Sequence, residues 1–243
     1  MNVAILFGRK NSRSIKNKNI LKIFSKPMFM YPLEAAKKVK LIDKIYVSSD
    51  SQFILAEAKK KKCFPIRRPK FLCSDKALLE DAIQHAVNYC QTENKNKIDN
   101  FIILLCNSIC VKKEDIEKGL EILKKSKNFD SVTTISKFNN FSPTRAKKIK
   151  NDSLLNYIPS NSLKKFTPLS CDRDKSVHTY YCTQSFTITR AKEMKQMKKN
   201  PFPFNWMAKK TTHIFQDSCV GDIDFPWQLE ATKWWIKKYL KKN

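Results

Sequence analysis

The sequence predicts an α/β fold, a mostly parallel β-sheet with helices on both faces. Three observations carry that expectation. Residues 2–7 and 44–49 are short runs of strand length separated by a helical stretch, and a strand–loop–helix–strand–helix succession builds parallel sheets with crossover helices. Residues 101–106 (FIILLC) are almost continuously apolar, as a central strand buried on both faces must be. The chain has 243 residues, enough for one such domain with a full core and too few for two large ones.

The elements follow in order. Residues 2–7 (NVAILF) read as a buried first strand that runs into Gly8 and a polar loop ending at Asn19. Residues 28–39 place Leu33, Ala35 and Ala36 at helical spacing, with Pro32 in the first turn. Residues 44–49 (KIYVSS) form a second strand with Asp50 at its carboxyl end, and 53–61 a further helix. An amphipathic helix over 78–90 leads to the central strand, followed by a helix over 114–124 and a β-branched strand over 130–136. Residues 137–178 change character, with polar loops and few apolar runs. Residues 180–189 return as a strand, and 227–240 close the chain as a helix with Trp234 and Trp235 on its apolar side.

Hydrophobic residues make up 42% of the chain, as in an ordinary globular protein. A formal net charge of +26 raises nucleic acid as a partner. The excess is mostly Lys spread over the whole chain, and no helix-turn-helix, zinc-finger or RNP-type motif accompanies it. Specific nucleic-acid binding is therefore not expected, and anionic small molecules are favoured. The eight cysteines contain one close pair, Cys106 and Cys110, without the second pair or the histidines of a zinc site. Buried thiols in a reducing compartment are expected. The chain starts directly on a strand, without signal-peptide character, and no apolar run approaches the ~20 residues of a membrane span. A soluble cytoplasmic protein is the expectation.

Three stretches carry candidate chemistry. The loop after Gly8 holds the cations Arg9, Lys10, Arg13, Lys16 and Lys18 among the hydrogen-bonding residues Asn11, Ser12, Ser14, Asn17 and Asn19. Such a mixture suits a triphosphate, or else is a solvated connector. With no further glycine and no GK[ST], it is neither a P-loop nor a dinucleotide fingerprint, so side chains would bind the phosphates. Residues 64–75 (FPIRRPKFLCSD) offer Arg68 for bidentate contact with phosphate, and Ser74 or Asp75 as a helix cap, as Asp50 could be for the segment after it. Near the end, Asp222 and Asp224 flank one apolar residue. On an extended strand they project to one face and can share a divalent cation, or one of them caps the final helix. No Ser/His/Asp ordering or HExxH spacing suggests nucleophilic catalysis.

The loop, the run from Leu41 to Lys60, the Arg-Pro…Ser-Asp segment and the Asp-Ile-Asp-Phe-Pro segment together resemble the acylneuraminate (CMP-sugar) cytidylyltransferases. Lys10, Asn11 and Ser14 stand where that family commonly has glycines, and Cys106 stands where it has a Gln that contacts the sugar acid. The resemblance implies a single Rossmann-like nucleotidyltransferase domain over 1–243, with 137–178 as an insertion that reaches into a partner subunit of a homodimer. It implies transfer of CMP from CTP to the anomeric hydroxyl of a nine- or eight-carbon 2-keto sugar acid, with release of pyrophosphate. Gly8, Arg9, Asn11, Ser12, Lys18, Asn19, Arg68 and Ser74 would bind the nucleotide, and Arg9, Arg13 and Lys18 would act on its phosphates. Asp222 and Asp224 would hold Mg²⁺, and Asn107, Arg145, Arg173, Tyr181 and Gln184 would meet the sugar. The alternatives are a related nucleotidyltransferase using another nucleotide or a sugar phosphate, and a basic nucleic-acid-binding protein.

Overall fold

The computed structural model describes residues 1–243 apart from 13, 138–140, 167, 169, 173 and 241–243. Strand β1 (Asn2–Phe7) is followed by a two-residue hairpin pair, β2 (Lys22–Ile23) and β3 (Lys26–Pro27). Then come α1 (Met30–Lys37), β4 (Lys44–Ser49), α2 (Gln52–Lys60), β5 (Phe64–Arg67), α3 (Leu79–Glu93), β6 (Asn100–Leu105), α4 (Lys113–Lys125) and β7 (Ser131–Lys137). A separate hairpin, β8 (Lys147–Lys150) with β9 (Ser153–Asn156), and the short α5 (Ser160–Leu163) precede the long β10 (Tyr180–Arg190). Helix α6 (Ala191–Lys195), β11 (Thr211–Phe215) and α7 (Pro226–Tyr239) complete the chain.

Seven strands form one sheet in the order β11-β7-β10-β6-β1-β4-β5. Strand β10 runs antiparallel to both its neighbours, and the other pairings are parallel. The two-residue period of β1 assigns its side chains to opposite faces. Ala4 and Leu6 pack with Leu33 and Ala36 of α1, Ile54 and Ala58 of α2, and Ile116, Leu120 and Leu123 of α4. Val3, Ile5 and Phe7 pack with Ile83, Ala86 and Val87 of α3 and Met194 of α6. Three layers result, and β6, buried from Phe101 onward, lies at their centre.

Because β1 leads to β4 on one side and β6 leads to β7 on the other, the connections leaving their carboxyl ends diverge. A crevice opens beyond the carboxyl ends of these strands, where open α/β sheets bind ligands. A third apolar cluster seats α7 there, with Trp235 and Ile236 against Ile23, Met28, Ile109 and Ile223. Trp234 does not share that role: it is 49% exposed while Trp235 is buried, since successive helical residues point about 100° apart. Within 137–178, β8 and β9 form their own two-stranded sheet, with Ile149 and Leu154 exposed. All eight cysteines are free thiols, and no helix among the described residues is long and apolar enough to cross a membrane.

Candidate active site

The polar loop is pinned at both ends rather than left loose. Gly8 continues the sheet by donating its N–H to the Ser48 carbonyl at 3.2 Å. Lys10 N–H donates to Asp50 Oδ1 at 2.6 Å, and Asn19 Nδ2 donates to the Arg9 carbonyl at 2.8 Å. Asp50 therefore braces the loop and is not a helix cap. The cap of α2 is Ser51, whose Oγ accepts from Ile54 N–H at 3.4 Å. Glycine is required at position 8 for space: a Cβ there would fall 2.8 Å from Cys106 Cβ and closer still to its Sγ. Cys106 is thus packing beneath the loop, fully buried, and burial pushes its thiol up to about 12. Gly8→Ala is expected to cost about 1–3 kcal/mol of stability through overpacking. Cys106→Ala removes the Sγ contact but keeps the Cβ at 2.8 Å, so a Gly8→Ala/Cys106→Ala double variant should recover only part of that loss in thermal melts, and no recovery would show that the Sγ clash is not its source.

A cavity of about 300 Å³ lies at the carboxyl ends of β1 and β6. Gly8, Arg9, Asn11, Ser12, Lys18, Asn19, Arg68, Ser74, Asn107 and Asp222 supply its polar lining, and Phe7, Leu72, Leu78, Leu79 and Leu105 its apolar wall. Arg68 is 6% exposed; its guanidinium donates to the Ser48 carbonyl at 2.9 Å and to Ser48 Oγ at 3.3 Å. No ion pair to a carboxylate is made by Arg68 among the described residues, and burial lowers its pKa. Such a cation favours an incoming anion. Arg9 reaches across the cavity to the Ser74 carbonyl at 3.2 Å and Asp75 Oδ1 at 3.3 Å. Neither Ser74 nor Asp75 caps α3, whose N-cap is Leu78.

The aspartate pair lies on the loop between β11 and α7, not on a strand. The fully buried Ile223 between them donates its N–H to the Asn107 carbonyl at 3.0 Å and so ties this loop to the end of β6. Gly221, at φ 76°, makes the turn into it. Asp224 Oδ1 accepts from Lys18 Nζ at 2.6 Å, joining the two ends of the chain at the cavity. Asp222 Oδ1 is buried with no hydrogen-bond partner. Burial, and then the charge of Asp224, push the Asp222 carboxyl up to about 7, against the pull of Ser108 and Lys18. Neither aspartate caps α7; Gln228 Oε1 accepts from both Asp224 N–H and Phe225 N–H at 2.7 Å. No group of three or more His, Cys, Asp and Glu side chains suited to a metal occurs among the described residues. Two neighbouring carboxylates, one with an orphaned oxygen, nonetheless fit Mg²⁺, which takes one or two protein carboxylates and completes its shell with water and substrate phosphates.

Tyr181, Gln184 and Arg145 are not among the residues that line this cavity. Tyr181 donates its hydroxyl to the Cys219 carbonyl and lines a separate hollow with Phe141, Val220, Trp227 and Gln228. Gln184 sits at φ 54° in a bulge of β10, with Nε2 buried and unpartnered. Arg145 donates to the Cys171 carbonyl at 2.9 Å, within the 137–178 segment. Arg13 and Arg173 lie outside the described residues.

Known proteins share the sequence pattern and the fold of this chain. A family model described as cytidylyltransferase matches residues 3–202. The chain belongs to the cytidylyltransferase family. It is 33% identical over 150 residues to a Helicobacter pylori pseudaminic acid cytidylyltransferase and UDP-2,4-diacetamido-2,4,6-trideoxy-beta-L-altropyranose hydrolase; the match covers 61% of this chain and 28% of that protein. It is 34% identical over 86 residues to an Escherichia coli N-acylneuraminate cytidylyltransferase, covering 35% of this chain and 20% of that one. The chain thus spans less than a third of the length of either relative. A solved CMP:2-keto-3-deoxy-manno-octonic acid synthetase complexed with CTP has the same fold, with a TM-score of 0.67 and 15% identity over 98% of both chains. Sequence reasoning missed three parts of this cytidylyltransferase cavity: the apolar wall, the Asp50 brace and the Asp75 partner of Arg9. The first had a faint signal, since Leu78 and Leu79 open the helix that follows the Ser-Asp turn.

Proposed function

We propose that this cytidylyltransferase transfers CMP from CTP to the anomeric hydroxyl of a 2-keto sugar acid of the sialic, legionaminic or pseudaminic type. The observation that carries the reading is the convergence of Arg9, Lys18, Arg68 and Asp222 on one cavity, although they are drawn from both ends of the chain. Lys18 and Arg9, with Arg13 of the same loop, hold the triphosphate, and Asn11, Ser12 and Asn19 add hydrogen bonds. Arg68 meets a phosphate from inside the cavity, and the apolar wall beside Ser74 takes the pyrimidine face. The anomeric hydroxyl gives up its proton to one of the two aspartates, its oxygen forms a bond to the α-phosphorus as the bond from that phosphorus to the β-phosphate oxygen breaks, and pyrophosphate leaves. Asp222 and Asp224 would hold Mg²⁺, which supplies charge neutralisation on the phosphate oxygens. Catalysis is then positioning and electrostatics, without a protein nucleophile.

Asn107, at the end of β6, faces the acceptor. The 137–178 segment, with its exposed apolar hairpin, pairs two copies of the chain, and Arg145, Arg173, Tyr181 and Gln184 serve the acceptor side from that region. The free thiols suit a cytoplasmic setting. Arg9→Ala is expected to weaken CTP binding about tenfold or more, measured by calorimetry, and unchanged affinity would remove the loop from the nucleotide site.

The deciding assay incubates the protein with CTP, Mg²⁺ and a panel of 2-keto sugar acids and follows pyrophosphate. Release that depends on both CTP and a keto sugar acid supports the proposal. Release only with another nucleotide or with a sugar phosphate overturns it in favour of a related nucleotidyltransferase.

A further inference from the structure

The cavity lies at one edge of the sheet, and the opposite edge has a character of its own. Five connections meet there: 37–44, 57–62, 93–99 and 121–130, each running from a helix into a parallel strand, and 191–210, which joins the end of β10 to the start of β11. The pairings Arg190 with Asn100 and Thr211 with Ser131 place the last of these at the amino ends of the parallel strands. These connections carry nineteen lysines and seven acidic residues. Lysines in the last helical turns have a local reason, since they complement helix carbonyls. Lys95, Lys97, Lys209 and Lys210 lie past helix ends or in loops, all exposed, and have no such reason; Lys198 and Lys199, also exposed, end the single 3-10 turn Met197–Lys199.

Apolar side chains stand in this lysine field. Phe202, between Pro201 and Pro203, is 87% exposed, and Leu41 and Phe64 at the same edge are each 46% exposed. Among the described residues the hollows at this edge are not built for one small anion: the one beside Lys95, Lys97, Lys192 and Lys195 has no buried charged side chain, and in the one beside Leu41 and Lys124 the Arg190 guanidinium is already bound to Asp130 and to the Leu123, Ser126 and Phe129 carbonyls. A broad cationic face with protruding apolar tips matches an anionic bilayer surface, where lysines meet headgroups and aromatic side chains enter the interface.

We propose that this edge docks the protein on anionic phospholipid membranes, with the Phe202 loop entering the headgroup layer and the cavity facing away into solvent. A site that stays open while the protein is docked would keep its activity on the membrane.

The test is sedimentation with vesicles of phosphatidylcholine containing about 30% phosphatidylglycerol, compared with pure phosphatidylcholine, at about 0.1 M salt. Binding to the anionic vesicles alone, reversed at high salt, is expected. Generic attraction of a +26 protein is separated by position. A Lys195→Gln/Lys198→Gln/Lys199→Gln variant should partition about a hundredfold more weakly, whereas Lys147→Gln/Lys148→Gln/Lys150→Gln, at the cavity edge, should change less than about threefold. Phe202→Asp should weaken partitioning about tenfold, and pyrophosphate release should be unchanged in Phe202→Asp and in the first triple variant. Equal losses in the two triple variants, or no effect of Phe202→Asp, would overturn the proposal. So would stronger capture by an RNA or DNA duplex that is insensitive to Phe202, which would identify the face as a polynucleotide surface.

Discussion

Asp222→Asn is expected to lower turnover at saturating CTP and Mg²⁺ by at least about a hundredfold, and Asp224→Ala by a similar factor. The orphaned Oδ1 of Asp222 is the group that gains from a cation, and Asp224 is held toward it by Lys18. Asn keeps the shape of the side chain but not its charge, so a loss in Asp222→Asn isolates the electrostatic role. Near-normal turnover in both variants would remove the aspartates from the reaction. Stability provides an independent readout. The Asp222 carboxyl titrates near 7 in the folded protein, above its ordinary value of 3.8, so the native state holds this proton more tightly than the unfolded chain. That contribution is complete at pH 3–4 and is lost as pH rises through about 7. Metal-free protein should therefore melt lower at pH 8 than at pH 5.5, Mg²⁺ should reduce the difference, and Asp222→Asn should flatten it.

What the sequence made legible follows from how much local pattern each part carries. The strands over 2–7, 44–49 and 101–106 lie in the interior of the sheet, and burial on both faces leaves an apolar run that any reading finds. The strands of the seven-stranded sheet that the sequence does not reveal, Phe64–Arg67 and Thr211–Phe215, are at its two edges and alternate or mix exposed and buried residues. Helix starts misled for a different reason. Asp50 and Ser51 are adjacent and chemically equivalent as caps, and only the path of the loop decides that Asp50 turns to Lys10. The Asp222 and Asp224 pair was found by composition, because two carboxylates stand out in so basic a chain, but its backbone was not. Ile223 enters the third apolar cluster and bonds Asn107, but Gly221 at φ 76° turns the backbone just before it, so the segment runs as a loop and not as a strand.

Arg68→Met should separate affinity from stability in opposite directions. In the free protein this guanidinium is buried and pairs with no carboxylate among the described residues, so it carries a desolvation cost that its bonds to Ser48, the Phe7 ring 5.9 Å away and the charge of Asp50 offset only in part. Methionine fills comparable space without charge, and the Ser48 carbonyl keeps the Gly8 N–H as a donor. A gain of about 1 kcal/mol is expected, raising Tm by about 2–4 °C. The same change deletes a charge-assisted contact to phosphate worth about 1.5–3 kcal/mol, so CTP should bind some 10- to 150-fold more weakly. A structural arginine would behave in reverse, with Tm lower and CTP affinity intact in the methionine variant. Melting and calorimetry on one preparation therefore decide whether the buried cation is kept for the fold or for the nucleotide.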